Sequence, residues 1–212
     1  MSRAKAILQS QFPYSISARC INREWFHLGM SEVWKIFCEE LDRTINDHNL
    51  VVHSFVLMSN HFHLIASTPD ANISQCMHQF MFRTSYRLTR AGNRINETYA
   101  GRHYKCILQK PFYYEAAYKY NYRNPVTAGI CSRVEDYPFS SLQFLINPAL
   151  RKFKICDDDF FKSDPSGIIS WLNTPSSTEL IEAFRYGLKN SYFKSKKSKN
   201  ERVTLISEHQ NL

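Results

Sequence analysis

The feature that most restricts the fold is a pair of adjacent segments with strand character in the first third of the chain. Residues 50–58 are apolar and rich in β-branched side chains, a Ser-Asn pair follows, and residues 61–66 continue the strand pattern. Two such segments joined by a tight turn predict a β-hairpin. In its second strand, His61 and His63 point to the same face, because successive side chains of a strand alternate between its two faces.

The segments around this hairpin predict one antiparallel sheet with helices. Residues 14–20 alternate between apolar and polar side chains, which indicates a half-buried strand. Residues 31–47 and 72–91 have the pattern of helices, residues 103–108 that of a short strand, and residues 112–122 that of a third helix. We therefore expect an α+β fold in which helices pack on one face of a single antiparallel sheet.

The last part of the chain is predicted to be an extension of this domain. Residues 1–147 form the domain, and residues 148–212 form a mostly helical C-terminal extension. In the extension, Ser176 and Glu179 match a capping box ahead of a late helix. The end of the chain, from Lys194, is basic and is expected to be poorly ordered.

Composition disfavours a membrane protein and a disulfide-rich secreted protein. The 212 residues are 43% hydrophobic and 22% charged, which is ordinary for a globular protein. No apolar run approaches the roughly 18 to 20 residues of a membrane helix. The six cysteines include no Cys-x-x-Cys pair, which predicts free thiols and no thiolate zinc site. The N-terminus is too polar for a secretory signal, so we expect a soluble, cytoplasmic protein.

The net charge of +8 is concentrated in the middle of the chain. Residues 71–130 contain nine Lys or Arg, two Asp or Glu, and eight of the twelve tyrosines. Because cations bind phosphates and aromatic rings stack on unpaired bases, this composition favours nucleic-acid binding over an ordinary solvated surface. Four arginines from 83 to 94 follow each other at helical intervals, which predicts a stripe that faces phosphates. The predicted DNA contacts are Arg83, Arg87, Arg90, Arg94, Arg102, Lys105 and Arg123.

The two histidines of the hairpin are candidate metal ligands. Imidazoles about 7 Å apart on one strand face can bind one divalent ion. If oxygen ligands and water complete the site, the ion can be Mg²⁺ or Mn²⁺. A His-x-His pair also occurs by chance, and the alternative is a pair of partly buried, hydrogen-bonded histidines. His53 could be a third imidazole ligand, but we expect it to be structural.

A tyrosine-rich segment, residues 117–126, contains a candidate nucleophile. If the helix continues to Asn124, Tyr120 and Asn124 lie one turn apart on the same face. Pro125 leaves a second alternative, because the residue before a proline is disfavoured in a helix and Asn124 could instead cap a new helix. A free phenol ionises at about pH 10, so attack on a phosphodiester needs help of the kind that a divalent ion provides. Ordinary packing of the tyrosines is the other interpretation.

Four stretches of the chain share their order and spacing with one known group of enzymes. They are MSNHFHL at 58–64, GRHYK at 101–105, the segment 120–129 with its Asn-Pro-Val, and DYPFSS at 136–141. Together they resemble the single-tyrosine HUH transposases, and most closely the REP-associated tyrosine transposases of bacteria. The resemblance begins near Tyr14 and extends over roughly two thirds of the chain.

The resemblance implies a ferredoxin-like sheet with a metal-dependent nuclease site. It implies that His61, His63 and Asn124 bind Mg²⁺ or Mn²⁺ and that Tyr120 is the catalytic nucleophile. Tyr120 would cut single-stranded DNA near hairpins of palindromic repeats, form a 5′-phosphotyrosine link and free a 3′-OH for rejoining. The implied protein is bacterial and nucleoid-associated, and it acts as a monomer or a homodimer.

Two positions depart from the family pattern. Asn121 stands where an apolar residue usually follows the nucleophile, and Thr127 stands where an arginine usually follows Asn-Pro-Val. Neither change removes a catalytic atom, but Thr127 lacks a phosphate contact that arginine could make.

Other functions are compatible with the same motifs. One is a catalytically silent protein of this fold that binds structured DNA or RNA. The others are a replication initiator or relaxase, which is typically larger, and a metal-dependent hydrolase in which Tyr120 is incidental. The intact set of His61, His63, Tyr120 and Asn124 favours the transposase-like nuclease.

Overall fold

The computed structural model describes residues 7–93, 95 and 98–195, and its central element is a four-stranded sheet. The strands are β1 (Tyr14–Arg19), β2 (Val51–Leu57), β3 (His61–Ser67) and β4 (Tyr104–Ile107). They are arranged in the order β2-β3-β1-β4, and each neighbouring pair is antiparallel. Helix α1 (Met30–His48) follows β1 and α2 (Ile73–Ala91) follows β3, which gives the ferredoxin-like order β-α-β-β-α-β. The predicted α+β class and its ferredoxin-like antiparallel sheet are confirmed.

Up to residue 195, where the described part of the chain ends, five further helices follow β4. They are α3 (Pro111–Thr127), α4 (Leu142–Ile146), α5 (Asp159–Ser163), α6 (Pro165–Asn173) and α7 (Thr178–Gly187). The predicted capping box at Ser176 is wrong by one residue. Ser177 has the extended backbone of an N-cap, and its hydroxyl accepts a hydrogen bond from the Leu180 amide at 3.2 Å.

The remaining predictions concern the cysteines, membrane helices, Arg94 and the end of the chain. All six cysteines are free thiols, as predicted. Across the described ranges, no helix combines the length and the apolar character that a membrane crossing requires. Arg94 and the tail from residue 196 onward lie outside the described residues.

One face of the sheet packs against α1 and α2. The rings of Phe37, Phe55, Phe62 and Phe80 are fully buried there, and the centroids of Phe62 and Phe80 are 5.5 Å apart. Burial of each such side chain stabilises the fold by about 1.5–3 kcal/mol. This layer holds the hairpin in place, because Phe55 comes from β2 and Phe62 from β3.

Helix α3 covers the opposite face, so helices lie on both sides of the sheet and not on one side alone. Val56, Ile65 and Cys106 point to that face and share a core with Ala117 and Tyr118 of α3. Side chains of α5, α6 and α7 join the same core. The odd-numbered residues of β3, which include both histidines, therefore lie on the α3 side.

The segment 136–141 attaches to the outer edge of β2. Phe55 donates its amide proton to the Ser141 hydroxyl at 2.8 Å, and the Ser141 amide donates to the Phe55 carbonyl at 2.8 Å. The Tyr122 hydroxyl lies 3.0 Å from the Ser141 hydroxyl, and Tyr137 donates to the Leu57 carbonyl. These bonds satisfy hydrogen-bonding groups at the exposed edge of β2 and connect that strand to α3.

Candidate active site

The two histidines of β3 form a compact pair on the α3 side of the sheet. Their ring centroids are 5.0 Å apart, with an angle of 80° between the rings. Nδ1 of His61 lies 2.7 Å from the Asn60 side-chain oxygen. This contact orients the ring and leaves Nε2 as the nitrogen that could bind a metal. Nε2 of His63 is buried and has no hydrogen-bond partner within the described part of the chain.

Both imidazoles are held in the neutral form. Burial lowers the pKa of His61 to about 4, and the nearby Arg19 guanidinium lowers it further. The pKa of His63 lies well below its usual value, because of burial first, then because His61 is close enough to repel a second protonated ring, and then because of the charges of Arg19 and Arg185. Neutral imidazole has a lone pair to offer, which is the state that a metal ligand requires.

His53, expected to be structural, bonds to a neighbouring strand. Its Nε2 lies 2.8 Å from the Ser67 hydroxyl, at the point where the β2–β3 register is irregular. Burial lowers the pKa of His53 to about 4.

Tyr120 lies on α3 directly opposite the histidine pair. Its ring centroid is 5.7 Å from that of His63, with the rings nearly perpendicular at 86°. The helix passes through Pro125 and ends at Thr127, so the alternative in which Asn124 caps a new helix is not adopted. Asn124 therefore lies one turn after Tyr120, and its amide nitrogen donates to the Tyr120 carbonyl at 2.8 Å.

Asn121, which departs from the family pattern, has a structural role on the sheet side of α3. Its amide nitrogen donates to the Ser54 hydroxyl at 3.2 Å, and both residues are almost completely buried. A buried polar group needs such a partner, and Ser54 of β2 provides it where an apolar residue would only pack. The bond fixes how α3 is turned relative to the sheet.

Helix α7 closes the other side of Tyr120. The Phe184 ring centroid is 4.8 Å from that of Tyr120, and Nε of Arg185 donates to the Tyr120 hydroxyl at 3.4 Å. Arg185 is otherwise exposed. Sequence analysis missed both residues, because they follow Tyr120 by more than sixty positions and no motif marks them.

Further cations lie around Tyr120. Lys119 is 2% exposed, and its ammonium group lies 4.8 Å from the centre of the Trp171 ring. Burial, together with the charge of Arg123, lowers the pKa of Lys119 to about 8. Lys119, Tyr120 and Arg123 line one small cleft between α3 and α7. The surroundings of the tyrosine are thus positive and suited to an anion.

The predicted arginine stripe on α2 is divided in the structure. Arg83 forms an ion pair with Asp47 at 2.9 Å, and Arg87 bonds to Glu39 at 2.6 Å and Glu40 at 2.7 Å. These acids belong to α1, so the local sequence of α2 gives no sign of them. These ion pairs satisfy Arg83 and Arg87 without a phosphate.

The other predicted DNA contacts occupy several places. Arg90 and Arg102 are exposed, and the Lys105 ammonium donates to the Ser74 hydroxyl at 3.3 Å. Arg123 donates to the Leu172 carbonyl at 2.9 Å, beside the Tyr120 cleft. They do not form one continuous row with the stripe.

Within residues 7–93, 95 and 98–195, no three side chains of His, Cys, Asp or Glu come together as a metal-binding group. The histidine pair would therefore need ligands of another kind, such as an amide oxygen, a phosphate or water. Asn124, one turn after Tyr120 on α3, carries an amide oxygen of this kind.

Residues 23–106 match the family model described as Transposase IS200 like. The range includes both histidines and ends in β4, before the tyrosine helix. The fold is similar to that of a REP-associated tyrosine transposase solved with a REP hairpin, with a TM-score of 0.60 and 19% sequence identity. The match covers 74% of this chain and 93% of that chain. The family model supports the predicted resemblance over residues 23–106, and the solved structure supports the predicted fold.

One other solved structure matches this fold only weakly. A candidate transposase from Deinococcus radiodurans matches with a TM-score of 0.39 and 13% identity, over 56% of this chain and 93% of that one. No curated protein matches the sequence.

We expect the free energy of unfolding to fall as the pH falls from about 7 towards 5. In this range the unfolded chain protonates histidines with a pKa near 6.5, whereas folded His61 and His63 stay neutral. The unfolded state then binds more protons, so stability rises with pH. In the double variant His61→Gln/His63→Gln, denaturant unfolding at several pH values should show a shallower dependence, by up to about 1.4 kcal/mol per pH unit for each histidine.

The control for this measurement is His27→Gln, which removes an exposed histidine and should keep the wild-type dependence. Equal slopes for the double variant and the wild type would contradict the assignment of neutral, buried imidazoles.

Proposed function

We propose that this protein is a metal-dependent nuclease and strand transferase for single-stranded DNA, with Tyr120 as the nucleophile. The observation that carries the proposal is the contact between the Tyr120 and His63 rings, 5.7 Å between centroids. Two motifs that are distant in sequence and lie on different elements meet there. The related transposase with a REP hairpin supports hairpins of palindromic repeats as the DNA partner.

The reaction is an exchange of one phosphoester for another. The Tyr120 oxygen attacks the phosphorus, the bond to the 3′ oxygen breaks, and a 5′-phosphotyrosine and a free 3′-OH result. The phenol proton leaves to solvent, and the departing 3′ oxygen takes up a proton. The 3′-OH of another strand then attacks the phosphotyrosine and restores Tyr120. Because the bonds exchanged are equivalent, no ATP is needed.

Arg185 contributes positive charge at the reacting oxygen. Its Nε lies 3.4 Å from the Tyr120 hydroxyl, and its guanidinium carbon lies 6.0 Å from the ring centre. A guanidinium in this place can bond to a phosphate oxygen and stabilise the negative charge of the reacting phosphate. Because Arg185 is exposed, it can move to meet the DNA without unfolding α7.

The donor set fits a divalent ion held by His61 and His63, with Asn124 as a further oxygen ligand. The buried Nε2 of His63 lacks a partner in the described structure, and a buried polar atom of this kind is costly unless a ligand bonds to it. The hydrogen bond between Asn60 and His61 is the support that metal-binding imidazoles usually have. When bound, Mg²⁺ or Mn²⁺ neutralises charge on the phosphate oxygens.

Added Mn²⁺ should raise the free energy of unfolding through the histidine pair. At a concentration 100 times the dissociation constant, binding stabilises a folded protein by about 2.7 kcal/mol. We expect the shift in thermal midpoint to disappear in His61→Gln/His63→Gln and to persist in Tyr120→Phe and His27→Gln. An undiminished shift in the double variant would place the metal elsewhere.

The nuclease function is tested with hairpin oligonucleotides that carry single-stranded flanks, taken from DNA around the protein's own gene. With Mg²⁺ or Mn²⁺, the wild type should form a covalent protein–DNA adduct that denaturing electrophoresis detects. Tyr120→Phe lacks the attacking oxygen, so we expect the adduct to fall by at least about 10³-fold while binding persists.

The control is Tyr114→Phe, which removes a hydroxyl from the same helix and should leave the adduct unchanged. If Tyr120→Phe cuts at the wild-type rate, the reaction is hydrolysis and the tyrosine mechanism is wrong. If the wild type binds hairpins but forms no adduct with either metal, the protein is a catalytically silent DNA-binding member of the fold.

A further inference from the structure

A row of exposed rings follows one line of α2, on the face of the sheet opposite Tyr120. His78, Phe82, Tyr86 and Arg90 recur every four residues, so neighbours are about 6 Å apart along the helix axis. Phe82 is 61% exposed and Tyr86 is 57% exposed. His78 and Arg90 are also exposed. We call these four residues the aromatic row.

The rings of the aromatic row are arranged as flat platforms. The His78 and Phe82 rings are nearly parallel, with an angle of 8° and 6.4 Å between their centroids. The Arg90 guanidinium donates to the Tyr86 hydroxyl at 3.4 Å, which places a cation at the end of the row. Successive flat rings with a cation at one end suit unpaired bases joined by phosphates.

The fold does not account for this exposure. The buried side of α2 holds Phe80, Thr84 and Leu88, and another side is occupied by the ion pairs of Arg83 and Arg87 with α1. Large apolar side chains that remain exposed in a contiguous line commonly mark a binding surface.

A groove borders the aromatic row, between α2 and the start of β4. It encloses about 2020 Å³, including its open side, and His78 and Phe82 form part of its wall. Arg102, His103 and Lys105 line the other wall. Its lining among the described residues includes no Asp or Glu. The groove is thus large, partly aromatic and positive, which complements a polyanion with exposed bases.

We propose that the aromatic row and this groove bind the unpaired nucleotides of single-stranded DNA. Bases stack on Phe82 and Tyr86, while Arg90, Arg102 and Lys105 contact phosphates. The inference rests on the proposed function for the presence of DNA, but it assigns a second contact area away from Tyr120. Because every base has a flat face, this site accepts any sequence, and a fully paired stem does not occupy it.

The test measures the affinity of the full chain for labelled oligothymidine and for a blunt hairpin without flanks. Phe82→Ala and Tyr86→Ala should each weaken oligothymidine binding by roughly 5-fold to 100-fold, the range expected for loss of one stacked base. Affinity for the blunt hairpin should not change. Phe82→Tyr and Tyr86→Phe keep the rings and should bind as the wild type does, as should Leu150→Ala, which shortens an exposed side chain elsewhere.

Salt dependence separates stacking from charge. Arg90→Ala should reduce the slope of log affinity against log salt for oligothymidine by about 0.7, because one phosphate contact is lost. Phe82→Ala should lower the affinity without changing the slope. A change of slope in Phe82→Ala together with an unchanged slope in Arg90→Ala would contradict the proposed division of roles.

The outcomes distinguish this inference from the proposed function. Ring-dependent oligothymidine binding without any Tyr120-linked product would support the aromatic row and contradict the nuclease. Wild-type oligothymidine affinity in both Phe82→Ala and Tyr86→Ala would overturn the aromatic row, whatever the catalytic result. A dimer that dissociates in Phe82→Ala at unchanged DNA affinity would also overturn it and would identify the row as a self-association surface.

Discussion

The packing of α3 on the histidine face of β3 is the contact on which the candidate site depends. Three polar bonds fix this helix: Tyr118 donates to Asp158 at 2.6 Å, Asn121 donates to Ser54 at 3.2 Å, and the Tyr122 hydroxyl lies 3.0 Å from that of Ser141. If the helix rotated, these bonds would break, and each broken bond would leave a buried polar group without a partner. With α3 held in this way, Tyr120, which is partly exposed and lies between Tyr118 and Tyr122, contacts His63.

The site combines buried polar groups, which lower the stability of the fold, with a positive electrostatic environment. Two neutral imidazoles lie under a helix, and Nε2 of one has no partner among the described atoms, while Arg19 and Arg185 lower the pKa of His63 through their charge. Such an arrangement is unfavourable for stability alone. It becomes understandable if the site receives an anionic phosphate together with a cation, since the phosphate then compensates the positive charges and the cation gives the unpartnered imidazole nitrogen a bonding partner.

Sequence patterns predicted the parts of this protein that depend on local spacing. The hairpin, the face shared by His61 and His63, and the first two helices follow from periods of two and of about 3.6 residues. Contacts between segments that are distant in sequence follow no local pattern, so the sequence did not predict them. The acids of α1 that pair with Arg83 and Arg87 and the cover of α7 over Tyr120 become visible only in three dimensions. The continuation of α3 through Pro125, a buried residue, costs a backbone hydrogen bond and is likewise not predicted by the local sequence.

The central claim is that one tyrosine becomes covalently linked to DNA, and mass spectrometry of the adduct tests it most directly. Trypsin cleaves after Lys119 and Arg123, so Tyr120 falls in a four-residue peptide that also contains Tyr122. After nuclease treatment, fragmentation of this peptide should place the nucleotide phosphate on Tyr120. A phosphate on Tyr122 or on another peptide, or cut DNA with no linked peptide at all, would contradict the account.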